Sequence, residues 1–424
     1  MSEGPHQPQR TRGALVALGL ALVIYAAFSQ FKLPVVLPVL MEQYSYGRVL
    51  AGGFMSIFAV FGILLSVPIG RLVARRGATV LVMAALPIMA LGTALGLAAP
   101  QSGPIMLAGR GLEGAAFAIL AVAGPALATA NAAPQHRTLV IGLMSTWIPA
   151  GQLLAALIGS LTTQDGGSWR LLWLVGLALA LALAGVTFAM MRPSRHLEAH
   201  GTARRTQMAE AAAAPWSRPQ WIALLLTGAI FMTWSAQYIA YMTWLPLYLV
   251  EVQGLSVDGA IGGYLIPVVL VGLFNLITGV LLHRGLKPQR MLFGALLVQA
   301  SVWWLLPVTG GGLGGLASLA AYGITAGIAP TCLFALTAHL VTTPGETARA
   351  FGVSMTGRNL GVLGGPLLLA LAIEHGAADA IGGWLAGSLL IGAVTTLGVA
   401  ACGLLLAVVP RVEAQQRSSA GVAE

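Results

Sequence analysis

The sequence predicts an all-α membrane protein, with twelve transmembrane helices arranged as two pseudo-symmetric bundles of six. Three observations predict it. First, 57% of the residues are hydrophobic and only 8% charged, with a mean hydropathy of +0.85, far from the roughly 45–50% apolar and 25% charged residues of soluble domains. Second, the apolar residues fall in successive runs of about 20, the length that carries a helix across a ~30 Å hydrocarbon core. Lipid cannot satisfy backbone polar groups, so each run must be helical, and the alternating ten-residue segments of a membrane barrel are absent. Third, marker residues return half a chain later: Gly70 and Gly279, and Glu42 and Glu251, at an offset of 209, Pro38 and Pro246 at 208, Gly142 and Gly352 at 210. Equal spacing implies two halves of the same orientation, related by an axis along the membrane normal.

Taken in order, breaks at Gly, Pro and charged residues place spans near 14–40, 49–70, 78–99, 104–131, 138–162 and 169–191. A second set follows near 220–250, 258–283, 290–308, 312–341, 349–374 and 382–409. The division is therefore a tail at 1–13, a bundle at 14–191, a linker at 192–219, a bundle at 220–409 and a tail at 410–424. The first apolar run is too long for a signal-peptide core and stays attached as a span. An even span count puts both termini on one side and sorts the charges. Arg10, Arg12, Arg71, Arg75, Arg76 and Arg137, with the arginines of the linker and of the later alternate loops, fall on the terminus side, and only Arg48 and Arg170 fall opposite. By the positive-inside rule the termini are cytoplasmic and the membrane is the cell inner membrane. The net charge of +9 is explained by this anchoring and calls for no nucleic acid.

Between the second and third runs stands Gly70-Arg71-Leu72-Val73-Ala74-Arg75-Arg76-Gly77, which returns in altered form from Gly279 to Arg284 and Gly285. This stretch resembles the signature of the major facilitator superfamily: Gly, three residues, Asp-Arg, one residue, Gly. Gly70, Arg75 and Gly77 match it, while Ala74 stands in the aspartate's place. Arg110 with Gly114, Trp169-Arg170 and Trp244-Leu245-Pro246 are similar to further family usage. The family's antiporter-type fifth-span motif is represented only by Pro149-Ala150-Gly151. The resemblance covers nearly the whole chain outside the linker and tails, and implies two six-helix bundles around a central substrate path.

Enzyme chemistry has little to stand on. The two lysines, Lys32 and Lys287, sit in no phosphate-binding loop; metal-ligand spacing and a nucleophile elbow are missing; Cys332 and Cys402 read as packing residues. Neither a cofactor nor a metal is expected. The informative residues are the cations inside spans, each costing about 2.5–3.5 kcal/mol at a helix centre unless paired or wetted. Arg358 lies ~15 Å into the eleventh span, beside Asn359 and a stripe of Gly357, Gly361 and Gly365 that allows close helix approach. Lys32 lies beside Gln30 in the first span, as a substrate contact or as a snorkelling anchor. Arg110 and Glu113, three apart on the fourth span, form either a proton-coupling carboxylate with its modulating arginine or a structural pair. Gln237, Tyr238 and Tyr241 of the seventh span, with Trp147 and Gln152 of the fifth, are further candidates to line a substrate cavity or simply pack. Trp303 and Trp304 read as interfacial anchors.

The expectation is a secondary transporter working by alternating access. Three interior cations against one carboxylate favour a small organic or inorganic anion, whose uptake costs about 2.3 kcal/mol per charge per 100 mV and needs coupled protons or a counter-anion. Two alternatives stay open: proton-coupled efflux of a hydrophobic compound, and a non-transporting membrane sensor or assembly factor. The partners are a small-molecule substrate and the lipid bilayer, and a monomer suffices. The family aspartate resembles a cytoplasmic latch. With Ala74 and His283 in its two places, Glu346 is the expected acid, pairing with Arg71 or Arg75 in a gate that includes Gly70, Gly77, Gly279 and Arg284.

Overall fold

The computed structural model describes residues 10–163, 167–191, 216–341, 344–376 and 380–421. Most of the linker expected at 192–219 lies outside them. The described helices are α1 (Gly13–Tyr44), α2 (Arg48–Arg76), α3 (Ala78–Ala98), α4 (Gly103–Ala130), α5 (Arg137–Ser145), α6 (Trp147–Thr163) and α7 (Trp169–Met191). They continue as α8 (Arg218–Glu251), α9 (Val257–His283), α10 (Pro288–Leu305), α11 (Gly312–His339), α12 (Pro344–His375) and α13 (Ala380–Gly421). Among the described residues eleven of these are long and apolar enough to cross a bilayer. α5 and α6 together make the remaining span, giving twelve.

That fifth span is not the single helix expected over 138–162. It breaks at Thr146, whose N–H turns back to the Leu143 carbonyl at 3.3 Å. Pro149 is the cause: it has no N–H to offer the carbonyl four residues back, and its ring crowds that carbonyl. Two other expectations are corrected. α13 runs through Pro410 to Gly421 instead of ending near 409. The second span does not end at Gly70, which lies inside α2. The turns fall on Gly77 (φ +86°) and Gly285 (φ +91°), a left-handed region that glycine enters without penalty. At the second turn Leu286 N–H reaches back to the Leu281 carbonyl and Gly285 N–H to that of Leu282, the pattern that satisfies carbonyls left over at a helix end.

The chain divides into two compact units: residues 1–204 with 243–250 and 254–265, and residues 205–242, 251–253 and 266–424. In the first, α4 packs against α1, α2 and α3, while α6 lies on α1 and α7 on α3. In the second, α10 packs against α11 and α13, and α12 against α13. The repeat reappears in detail. The indole of Trp169, opening the sixth span, donates to Gln43 Oε1 at 3.0 Å, and that of Trp384, opening the twelfth, donates to Glu251 Oε2 at 2.8 Å. In each half the last span is thereby tied to the end of the first.

Candidate functional site

In the first unit the interior charges converge. Lys32 from α1, Thr93 from α3, and Arg110 and Glu113 from α4 are at most 1% exposed, although Lys32 and Glu113 stand 81 positions apart in sequence. Helices α3 and α4 meet closely here because Gly92 and Gly109 carry no side chain. A Cβ on Gly92 would lie 2.5 Å from the Gly109 carbonyl oxygen and 3.0 Å from Glu113 Cγ. The carboxylate is ringed by donors. Its Oε1 accepts from Lys32 Nζ and from Thr93 Oγ1, both at 2.6 Å, and its Oε2 from Arg110 Nη1 at 2.6 Å. Lys32 Nζ also reaches Thr93 Oγ1 at 3.3 Å and sits 4.5 Å from the Trp173 ring centroid.

Arg110 is pinned more firmly than a two-residue pair would require. Its guanidinium donates to the carbonyls of Ser29 (2.8 Å), Gln30 (2.9 Å) and Phe54 (3.2 Å), and lies over the Phe58 ring. The Gln30 carbonyl is available because its helical partner would be Pro34, inside α1 and lacking an N–H. A proline in the first span thus creates the acceptor that a cation from the fourth span fills. Charge-assisted hydrogen bonds of this kind offset desolvation that would otherwise run to several kcal/mol per ion. Fully ionised, the cluster holds two cations and one carboxylate.

The second unit answers with an uncharged network. Gln237 Oε1 accepts from Trp303 Nε1 at 2.9 Å and from Tyr322 Oη at 2.6 Å, and Gln237 Nε2 donates to Gln299 Oε1 at 2.6 Å. Indole is a donor only, so the Gln237 atom facing Trp303 must be the oxygen, which fixes both amides. Tyr241 and Tyr322 stack with ring centroids 3.6 Å apart, and Tyr238 stacks on Trp234 at 5.0 Å. Trp303 is therefore not an interfacial anchor. It is 2% exposed, because the face of α10 that carries it points at Gln237 and Tyr241 of α8. Trp304, one position on, is 45% exposed and donates to Thr396.

The remaining candidates are placed as follows. Arg358, half-buried in the middle of α12, has among the described residues one hydrogen bond, from Nη1 to Asn359 Oδ1 at 3.2 Å. The glycines beside it seat α12 on the backbone of α8: a Cβ on Gly357, Gly361 or Gly365 would run into the carbonyl oxygen of Gly228, Met232 or Ala236 respectively. Trp147 opens α6 with its ring 5.5 Å from that of Phe117, and Gln152 is buried. Glu346 is buried in the first turn of α12 and Arg284 is exposed. The pairing expected of Glu346 involves Arg71 and Arg75, whose side chains lie outside the described residues. Thr93, Gln299 and Tyr322 were not indicated by the sequence reading. One sequence signal reaches Tyr322: Lys32 and Tyr241, and Glu113 and Tyr322, are each 209 positions apart, the offset of the repeat.

Residues 18–366 match the family model described as Major Facilitator Superfamily. The chain belongs to that superfamily. Two solved structures agree in fold. A bacterial homolog to the human lysosomal transporter Spinster, inward-facing and unoccupied, superposes with a TM-score of 0.75 at 16% identity, covering 96% of this chain and 99% of that one. The nucleoside transporter NupG, in a mutant form, gives 0.69 at 14% identity over 92% and 99%. No curated protein matches the chain by sequence. As a facilitator, the chain is a multi-pass membrane transporter that handles a small-molecule substrate rather than an enzyme.

Proposed function

We propose that this facilitator is a secondary active transporter of a small organic or inorganic anion, working by alternating access in the cell inner membrane with both termini cytoplasmic. One observation carries the substrate class: the buried Lys32–Glu113–Arg110 cluster holds two cations to one carboxylate. An uncompensated positive charge in a low-dielectric interior favours an anion nearby and repels a cationic drug. Arg358, whose guanidinium has no carboxylate partner among the described residues, adds a second positive point at mid-span depth. Its guanidinium fork suits carboxylate or phosphate oxygens.

The test is uptake into liposomes by the purified full chain. Labelled anions are expected to enter and lipophilic cations are not. Arg358→Ala is expected to lower anion uptake at least tenfold, the loss that one charge-assisted contact of about 1.5–3 kcal/mol predicts. Ordinary anion transport by that variant would remove Arg358 from the site. Export of a lipophilic cation by the unaltered protein would overturn the anion reading.

A further inference from the structure

We propose that Lys32, and not Glu113, is the group that takes up and releases the coupled proton, so that a proton and an anion load the first unit together. The inference rests on the anion reading above and assigns its coupling. A carboxylate is the usual suspect in a buried cluster, but every described polar contact of Glu113 is a donor: Lys32 and Thr93 on Oε1, Arg110 on Oε2. A proton added to either oxygen would displace a donor and meet no unused acceptor. Arg110 cannot serve, since a guanidinium does not deprotonate in proteins and this one is committed to three carbonyls as well as to Glu113.

Lys32 has neither obstacle. As an ammonium it has three N–H donors, of which two go to Glu113 and Thr93. The neutral amine keeps two, enough for the same partners, so loss of the proton breaks neither of those hydrogen bonds. The step is R–NH3+ to R–NH2 plus H+, with the proton passing to water. The cluster then goes from one net positive charge to none. With Lys32 charged, a bound monoanion completes neutrality; with Lys32 neutral, nothing is needed. By linkage each ligand then raises the affinity of the other by the same factor.

The other groups packed around Lys32 leave it as the one free to change. Glu113 and Arg110 face it from α4. On its own helix the Tyr25 hydroxyl is tied to the Gly176 carbonyl at 2.9 Å. α7 presents the Trp173 ring, and α3 the Thr93 hydroxyl. α3 and α6 contain no charged residue, and those of α2 and α7 stand at the helix ends. The fold itself does not require charge at this seat. At the repeat offset of 209, Lys32 and Glu113 become Tyr241 and Tyr322, which meet as a stacked pair. The same contact between the first and fourth helix of each half is titratable in one half and fixed in the other.

The experiment uses liposomes holding a trapped pH indicator, with nitrate, inorganic phosphate, gluconate and benzenesulfonate as probes. Unaltered protein is expected to admit about one proton per monoanion, and binding read from tryptophan fluorescence is expected to weaken about tenfold per pH unit on the alkaline side. Lys32→Arg, charged at every pH, is expected to hold the net positive charge of the cluster whatever the pH. It is also expected to lose proton-driven accumulation and to bind with a flat pH profile. Lys32→Gln is the second variant, expected to bind weakly and equally flat. Anion uptake without proton entry in the unaltered protein would overturn the proposal while leaving the transport reading in place. Proton entry retained by Lys32→Arg would do the same. No movement of any probe anion would overturn both.

Discussion

Replacing Glu113 by glutamine is expected to destabilise the first unit by about 3–5 kcal/mol, the usual result of removing one partner from a buried ion pair. Two cations would then share the interior with no carboxylate, and because glutamine keeps a single acceptor oxygen, either Lys32 Nζ or Arg110 Nη1 would face an amide NH2 in place of its 2.6 Å partner. Thermal unfolding of detergent-solubilised protein should show a drop in Tm on the order of 10 °C. Adding Lys32→Met restores the net charge of the unaltered cluster, and the double variant should recover more than half of that loss, a coupling that a double-mutant cycle reads directly. The sign of the pH dependence follows from Lys32. At low pH both cations are charged and the Glu113→Gln penalty is full; as pH rises Lys32 can shed its proton and the penalty should shrink. A penalty below about 1 kcal/mol at acid pH would mean that water or another acid already compensates the cluster, contrary to the contacts described.

How far the sequence could lead to this cluster depends on the kind of residue. Lys32, Arg110 and Glu113 were legible because an ion in an apolar run is costly and therefore conspicuous. The pairing of Arg110 with Glu113 was legible because three residues is less than one helical turn. That Lys32 joins them was not, since it requires knowing which face of α1 meets α4 across 81 positions. Thr93 was invisible for the opposite reason: a hydroxyl in a helix usually bonds its own preceding turn, as Thr227, Thr278 and Thr337 do here. Trp303 was misread from depth alone, although rotation about the helix axis decides which of two adjacent tryptophans is buried. The twelve spans followed from hydropathy, but the break at Thr146 depends on a backbone clash that hydropathy does not register. The end of the second span was misplaced because the family-like motif begins at Gly70, whereas the positive φ falls where it ends, at Gly77.

Replacing Gly361 by alanine is expected to disable transport and to cost about 1–3 kcal/mol, the range for overpacking a close contact, with leucine worse. The sequence spacing of Gly357, Gly361 and Gly365 implied a close approach without naming the partner. The structure supplies it: the three glycines meet the carbonyl oxygens of Gly228, Met232 and Ala236, themselves four apart on α8. Two helices touching backbone to backbone gain dispersion and Cα–H···O contacts, which hold bilayer helices together where the hydrophobic effect does not. A methyl group at any of these points has no flexible side chain to push aside, only a peptide carbonyl. Gly364 on the same helix is the control, because its Cβ would find only Leu368 Cδ1, at 3.7 Å. Gly364→Ala should therefore leave Tm and uptake within error of the unaltered protein. Gly361→Ala should lower both, since Arg358 rides on the same helix and is positioned by that seat. At this seat three glycines of α12 rest directly on three backbone carbonyls of α8, so a methyl group on any of them lifts one helix off the other. Equal behaviour of the two alanine variants would mean that the glycine seat does not hold α12 on α8.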